Sequence, residues 1–319
     1  MIGTSTSRKA IDSPRRLMTR TATDWGYAAG WMAVRVMPEF AARNVFEAGA
    51  RYAARRGGPD QLRKNLARVL GVPPGGVPDS LMRASLASYA RYWREAFRLP
   101  TMNLPALARQ LSDGTVGQEN VDAALAAGRG AVLALPHSGN WDMAGVWLAH
   151  TRGTFTTVAE RLQPESLYRR FIAFRESLGF EVLPLSGGTD TGFRPPFEVL
   201  CERLTDNRVV CLMAERDLTR TGVDVDFFGE ATRMPAGPAK LAIETGADLL
   251  PTHCWFDGEG WIAWIQSPLD CSSGDVGAIT QALAHRFAEN IAAHPEDWHM
   301  LQPQWLADLP DARRAQLRP

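Results

Sequence analysis

His137 and Asp142 stand five residues apart in the stretch Ala-Val-Leu-Ala-Leu-Pro-His-Ser-Gly-Asn-Trp-Asp (131–142), and those residue types suit proton transfer. An imidazole titrates near neutral pH, and a carboxylate beside it raises its basicity and fixes its tautomer. A positioned base of this kind is worth about 10² to 10⁴ in rate. A plain structural reading also exists: His137 closes a turn and Asp142 favours a helix N-terminus. The residues leading into the pair bring the two readings nearer to even.

Ala131 to Leu135 form a continuous apolar run, the pattern of a strand buried on both faces. Pro136 ends it, because proline has no N–H to give to a ladder. His137 then emerges at the strand's C-terminal end, the edge where open α/β sheets bind ligands. Ser138, Gly139 and Asn140 offer a tight turn and N-cap candidates. A helix follows from Trp141 through Met143, Val146, Trp147 and Leu148, with Asp142 in its first turn and in reach of the imidazole.

Ala214-Glu215-Arg216-Asp217 directly follows another buried strand, Val209 to Met213. Three consecutive charges there predict a site at the same sheet edge; the alternative is a solvated loop with local ion pairs. The Gly-rich stretch 187–192 lacks the Gly-Lys-Ser/Thr ending of a phosphate-binding loop and reads as a flexible loop able to line the site. Cys201, Cys211, Cys254 and Cys271 show no C-x₂-C pairing, so they read as isolated thiols and no metal is expected. No Gly-x-Ser-x-Gly elbow presents a serine nucleophile.

The elements that position these residues follow from the pattern of the whole chain. Its 319 residues, 45% of them hydrophobic, suffice for a real core, and the formal charge of zero gives no field for nucleic acid. No signal peptide is expected. Residues 1–23 read as a basic flexible arm, with Arg8, Lys9, Arg15, Arg16 and Arg20 against Asp12. Residues 24–319 read as a single domain with a helical part, 24–112, and an α/β core, 113–306. The stretch Trp25 to Met37 is too short to span a bilayer. Its Trp25, Tyr27, Trp31, Met32 and Met37 fit either an interfacial helix or one packed on the domain. Helices are expected at 39–56, 60–70 and 79–98, the last carrying a core stripe of Tyr89, Tyr92, Trp93 and Phe97, with Arg94 and Arg98 as solvated charge. From 115 onward strands and helices alternate, and 247–255 with 261–266 form a hairpin around Asp257-Gly258. The fold class is α/β: a mostly parallel central sheet flanked by helices, with an N-terminal helical segment.

His-Ser-Gly-Asn-Trp-Asp has the His-x₄-Asp form of acyltransferases, and its wording resembles the lipid A late acyltransferase group, within it the actinobacterial phosphatidylinositol mannoside acyltransferases. Three further blocks follow in order: Phe174-Arg-Glu-Ser-Leu-Gly179, Ala214-Glu-Arg-Asp217, and Val225-Asp-Phe-Phe-Gly229 with Arg233-Met-Pro-Ala-Gly-Pro-Ala239. The resemblance runs from about Asp24 to Leu306. It implies His137 as general base and Glu215 as its partner; whether Glu215 or Asp142 orients the imidazole stays open. Arg175 is expected at the thioester or the phosphates of coenzyme A, Arg216 at the substrate, and Gly237 at the start of a helix whose N-terminus faces the site. The implied donor is acyl-CoA, with palmitoyl as the chain, and the implied acceptor is a mannosylated phosphatidylinositol lipid. Direct transfer is expected, with no cofactor, by a peripheral protein at the cytoplasmic face of the membrane. A lysophospholipid or lipid A-type acceptor, or a non-catalytic membrane protein, are the alternatives. The Phe-Pro-Glu-Gly-Thr-Arg block of the glycerol-3-phosphate branch is replaced here by Ala-Glu-Arg-Asp-Leu, which argues against a phospholipid-precursor substrate.

Overall fold

A computed structural model describes residues 30–161, 165–186 and 193–317. The basic arm and the Gly-rich stretch 187–192 lie outside the described residues.

The helical part begins with α1 (30–36), α2 (Glu39–Arg55), α3 (Asp60–Leu70), α4 (Asp79–Arg98) and α5 (Leu104–Asp113). Ala50, Leu62, Leu66, Met82 and Leu86 bury one face each of α2, α3 and α4 against one another. In α1 the two sequence readings divide by residue. Trp31 is buried and packs on Phe97, Phe171 and Phe174, while Met32 and Val36 are exposed. Arg94 and Arg98 are not solvated, contrary to the sequence reading. Arg98 donates to the carbonyls of Val34 and Met37 and pairs with Glu39 at 2.8 Å, tying α4 to the end of α1. Arg94 is buried beside Glu39 and Glu95.

The α/β part runs β1 (Thr115–Val116), α6 (Gln118–Ala126), β2 (Ala131–Leu135), α7 (Trp141–Arg152), β3 (Thr156–Ala159), α8 (Glu165–Ser177), β4 (Glu181–Pro184), α9 (Pro196–Thr205) and β5 (Val209–Met213). It continues through the β6–β7 hairpin (Val223–Phe227, Glu230–Met234), α10 (Gly237–Thr245), β8 (Asp248–Asp257), β9 (Gly260–Ile265), α11 (Val276–Ala293) and α12 (Asp311–Leu317). Seven strands make one sheet in the order β1-β9-β8-β2-β5-β3-β4. Five run parallel; β9 turns back on β8, and β1 follows β9. The sheet is the expected mostly parallel one, and β8–β9 is the expected hairpin.

β2 lies at the centre, and its residues alternate between two cores. Ala131, Leu133 and Leu135 pack with α5, α7 and α8 through Leu107, Trp147 and Phe174. Val132 and Ala134 pack with α9, α10 and α11 through Leu200, Leu241 and Phe287. Burial on both faces is what the unbroken apolar run demanded. Helix α5 and the β6–β7 hairpin were not expected from the sequence.

Candidate active site

The register of two neighbouring strands brings the central pair together. β2 and β5 are parallel, with Ala131 beside Val209 and Leu135 beside Met213. Residues two steps beyond each end, His137 and Glu215, therefore arrive side by side, and Ala214 N–H donates to Leu135 O at 2.8 Å to carry the ladder past the strand ends. Glu215 Oε1 accepts from His137 Nδ1 at 2.6 Å and from the His137 backbone N–H at 2.7 Å. An ionised carboxylate only accepts, so Nδ1 carries the ring proton and Nε2 is left with its lone pair. Nε2 has no hydrogen-bond partner among the described residues, and the His137 side chain is 40% exposed against 1% for Glu215. The ring's back is set by Trp141, edge-on at 5.3 Å between centroids. The Glu215 carbonyl is held by Gln304 Nε2 at 2.6 Å.

The turn after β2 is fixed residue by residue. His137 O accepts from His299 N–H at 2.7 Å, and Gly139 N–H donates to Asp297 O at 2.8 Å. Between them Ser138 bridges Trp298 in antiparallel fashion. Asn140 caps α7, its Oδ1 accepting from Met143 N–H at 3.1 Å, while its amide donates to buried Glu95 at 2.7 Å. Gly139 has φ +54°, and a Cβ there would stand 2.6 Å from the Cys254 carbonyl, so the chain needs glycine at this point. The amides of His137, Ser138 and Gly139 are all taken by protein acceptors, which leaves none of the three for a substrate oxyanion.

Two buried histidines flank the turn. His253 Nδ1 meets Ser138 Oγ at 3.1 Å, and His299 Nε2 meets Ser88 Oγ at 2.8 Å. Burial pushes both imidazoles down to about 3, aided by the nearby charge of His294 for His253 and of His137 for His299. An unfolded chain takes up these protons at about pH 6.5. Below that value the unfolded state binds more protons than the folded one, so stability is lost as pH falls, by about 1.4 kcal/mol per imidazole per pH unit. Urea midpoints measured from about pH 7 down to about pH 4 should decline, and the decline should be shallower in His253→Asn. A slope unchanged by that substitution would show that His253 is protonated in the fold.

Asp142 does not reach back to His137. Its carboxylate accepts from Tyr92 OH at 3.0 Å and from Arg175 Nε at 3.1 Å. The donors come from α4 and α8, and among the described residues no hydrogen bond or ion pair joins Asp142 to the imidazole. Arg175 is correspondingly held by Asp142 beside a narrow apolar cavity lined by Leu135, Trp141, Gly145, Leu148, Phe155 and Phe180. Tyr92, read from sequence as core, is buried and also a partner of Asp142, and its ring lies 4.1 Å from that of Trp141. Arg216, half-buried next to Glu215, donates through Nε to Pro303 O at 2.8 Å; burial lowers its pKa, with Arg313 adding like charge. Gly237 opens α10, whose C-terminal end leads into β8 beside the start of β2, so the N-terminus of α10 is its end toward the His137 edge of the sheet. Among the described residues no hydrogen bond joins Gly237 to His137 or Glu215. Sequence reasoning missed Ser88, Glu95, His253, Asp297 and His299; none carries a spacing signal, since each meets the turn only through the fold.

Residues 10–307 match the family model described as bacterial lipid A biosynthesis acyltransferase. The chain belongs to this family. It is similar to a phosphatidylinositol mannoside acyltransferase of Mycobacterium tuberculosis, 76% identical over 310 residues that cover 97% of each chain. It is also similar to the phosphatidylinositol mannoside acyltransferase of Mycolicibacterium smegmatis, 72% identical over 295 residues covering 92% of this chain and 95% of the relative. In this chain the His137–Glu215 pair stands at the C-terminal ends of β2 and β5, and the apolar cavity lies between the sheet face and α7.

Proposed function

We propose that this acyltransferase moves a long-chain acyl group, palmitoyl, from acyl-CoA to a mannose hydroxyl of a phosphatidylinositol mannoside. The observation that carries the reading is the exposed Nε2 of His137 with Glu215 hydrogen-bonded behind it. Nε2 takes the hydroxyl proton as the oxygen attacks the thioester carbonyl. Glu215 stabilises the imidazolium that forms. Arg175 supplies positive charge for the tetrahedral oxyanion, since the turn amides are occupied. The C–S bond then breaks, and the imidazolium returns its proton to the leaving thiolate. Ester and free coenzyme A are the products. The cavity beside Arg175 and Trp141 is mostly apolar, as an acyl chain requires, and at about 60 Å³ it would have to widen to take palmitoyl. The mannoside acceptor and its phosphatidylinositol anchor are supported by the names of relatives at 72–76% identity.

The protein acts peripherally at the cytoplasmic leaflet. Met32, Val36, Phe40, Val45 and Tyr52 expose apolar area on α1 and α2, while no described helix is long and apolar enough to cross a membrane. Such a face beside arginines fits an anionic interface.

The deciding experiment offers purified protein palmitoyl-CoA with mannosylated phosphatidylinositol, lysophospholipid or water as acceptor. Acylated mannoside is the expected product. Release of coenzyme A without acylated lipid, or acylation of lysophospholipid alone, would refute the assigned acceptor.

A further inference from the structure

The segment that follows α11 touches His137 more directly than any other part of the described fold except Glu215. His299 N–H holds the His137 carbonyl, and the Asp297 carbonyl holds the Gly139 amide. These two backbone contacts, two residues apart on one strand-like segment, fix the peptide planes on both sides of the Ser138 step. The side chains of the same two residues converge on one atom. Ser88 Oγ on α4 lies 2.5 Å from Asp297 Oδ1 and 2.8 Å from His299 Nε2, and all three residues are buried. The carboxylate can only accept, so Ser88 gives its proton to Asp297 and receives one from His299 Nε2–H. Asp297 Oδ2 is meanwhile held by Phe256 N–H of β8 at 2.9 Å. The other props of the turn work elsewhere: Glu95 holds the Asn140 cap, and His253 holds the Ser138 hydroxyl.

We propose that Ser88 is a positioning residue for the general base: by clamping Asp297 and His299 it fixes the backbone of the His137 turn and so aims the imidazole at Glu215. This rests on the reading of His137 as the base. Without the hydroxyl, Asp297 and His299 each lose a buried partner, and the segment between them is free to shift. A displacement of about 1 Å at a reacting group can cost about 10² in rate.

The test compares Ser88→Ala with Ser88→Thr, which keeps the hydroxyl at a position that lines a cleft of about 410 Å³. His299→Gln, whose amide N–H replaces the ring Nε2–H, is the second conservative variant, against His299→Leu. The expected result is a fall of about 10² in kcat for Ser88→Ala and His299→Leu at unchanged KM for palmitoyl-CoA, with most of kcat kept in Ser88→Thr and His299→Gln. A second readout needs no substrate. In protein carrying ¹⁵N-histidine, the Nδ1–H resonance of His137 in contact with Glu215 should be present in wild type and the two conservative variants, and lost or broadened in the other two. Wild-type kcat and an unchanged resonance in Ser88→Ala would overturn the proposal, as would a loss that the conservative variants share. If wild type acylates no mannolipid, the functional reading fails instead, and the resonance alone still decides whether Ser88 positions the ring.

Discussion

His137→Asn should lower acyl transfer by about 10² to 10⁴ while leaving the protein as stable as wild type. The asparagine amide can stand where Nδ1–H stood and keep the hydrogen bond to Glu215 Oε1, but it has no second nitrogen to receive a proton. The backbone anchors of the turn, His137 N–H to Glu215 and His137 O to His299 N–H, do not depend on the side chain. His137→Ala should lose turnover equally and stability as well, because the Glu215 carboxylate then keeps only the backbone donor in a site where it is fully buried. A fully unpaired buried acceptor costs about 1–3 kcal/mol, and the remaining backbone donor places the expected loss at the lower end. The measurement is acylated lipid by mass spectrometry alongside thermal unfolding of each variant. A His137→Asn protein that transfers acyl groups at the wild-type rate would remove His137 from the chemistry and require another group as the base.

The reach of sequence reasoning can be traced through this pair. The two apolar runs ahead of His137 and Glu215 were legible as buried strands because both faces of β2 and the start of β5 are covered. That they are neighbours was not legible, since β3 and β4 intervene in the chain and yet lie outside β5 in the sheet. The charged run after β5 pointed Glu215 to the same sheet edge as His137, and the family resemblance alone paired the two across 78 residues. Local spacing left Asp142, five residues after His137, as a second candidate and gave no sight of its donors, Tyr92 and Arg175, which lie 50 and 33 residues away. Arg94 and Arg98 misled: charge on a helix was taken as solvent-facing when α1 and α2 cover it. The β6–β7 hairpin did leave a local signal, the alternation of Val223, Val225 and Phe227 with Asp224 and Asp226, closed by Gly229. The alternation has period two and marks a strand with one buried face.

The two carboxylates near the turn therefore have separable tasks, and Asp142→Ala tests the separation. Glu215 faces the imidazole; Asp142 faces a buried tyrosine and an arginine whose side chain is 21% exposed. Removing Asp142 leaves the Arg175 guanidinium without its carboxylate and the Tyr92 hydroxyl without its acceptor. Breaking a buried pair from one side typically costs about 3–5 kcal/mol, and the partial exposure of Arg175 places the expected loss at the lower end of that range. Asp142→Asn should cost less, since its amide oxygen still accepts one of the two hydrogen bonds. Urea unfolding monitored by tryptophan fluorescence would read both losses, with turnover measured well below each midpoint. The expected pattern is the reverse of His137→Asn: a large fall in stability and a smaller fall in turnover per folded molecule, arising from Arg175 losing its anchor beside the apolar cavity. Wild-type stability in Asp142→Ala with turnover as low as in His137→Asn would instead make Asp142 the residue that orients the base, and would leave Glu215 as its structural neighbour.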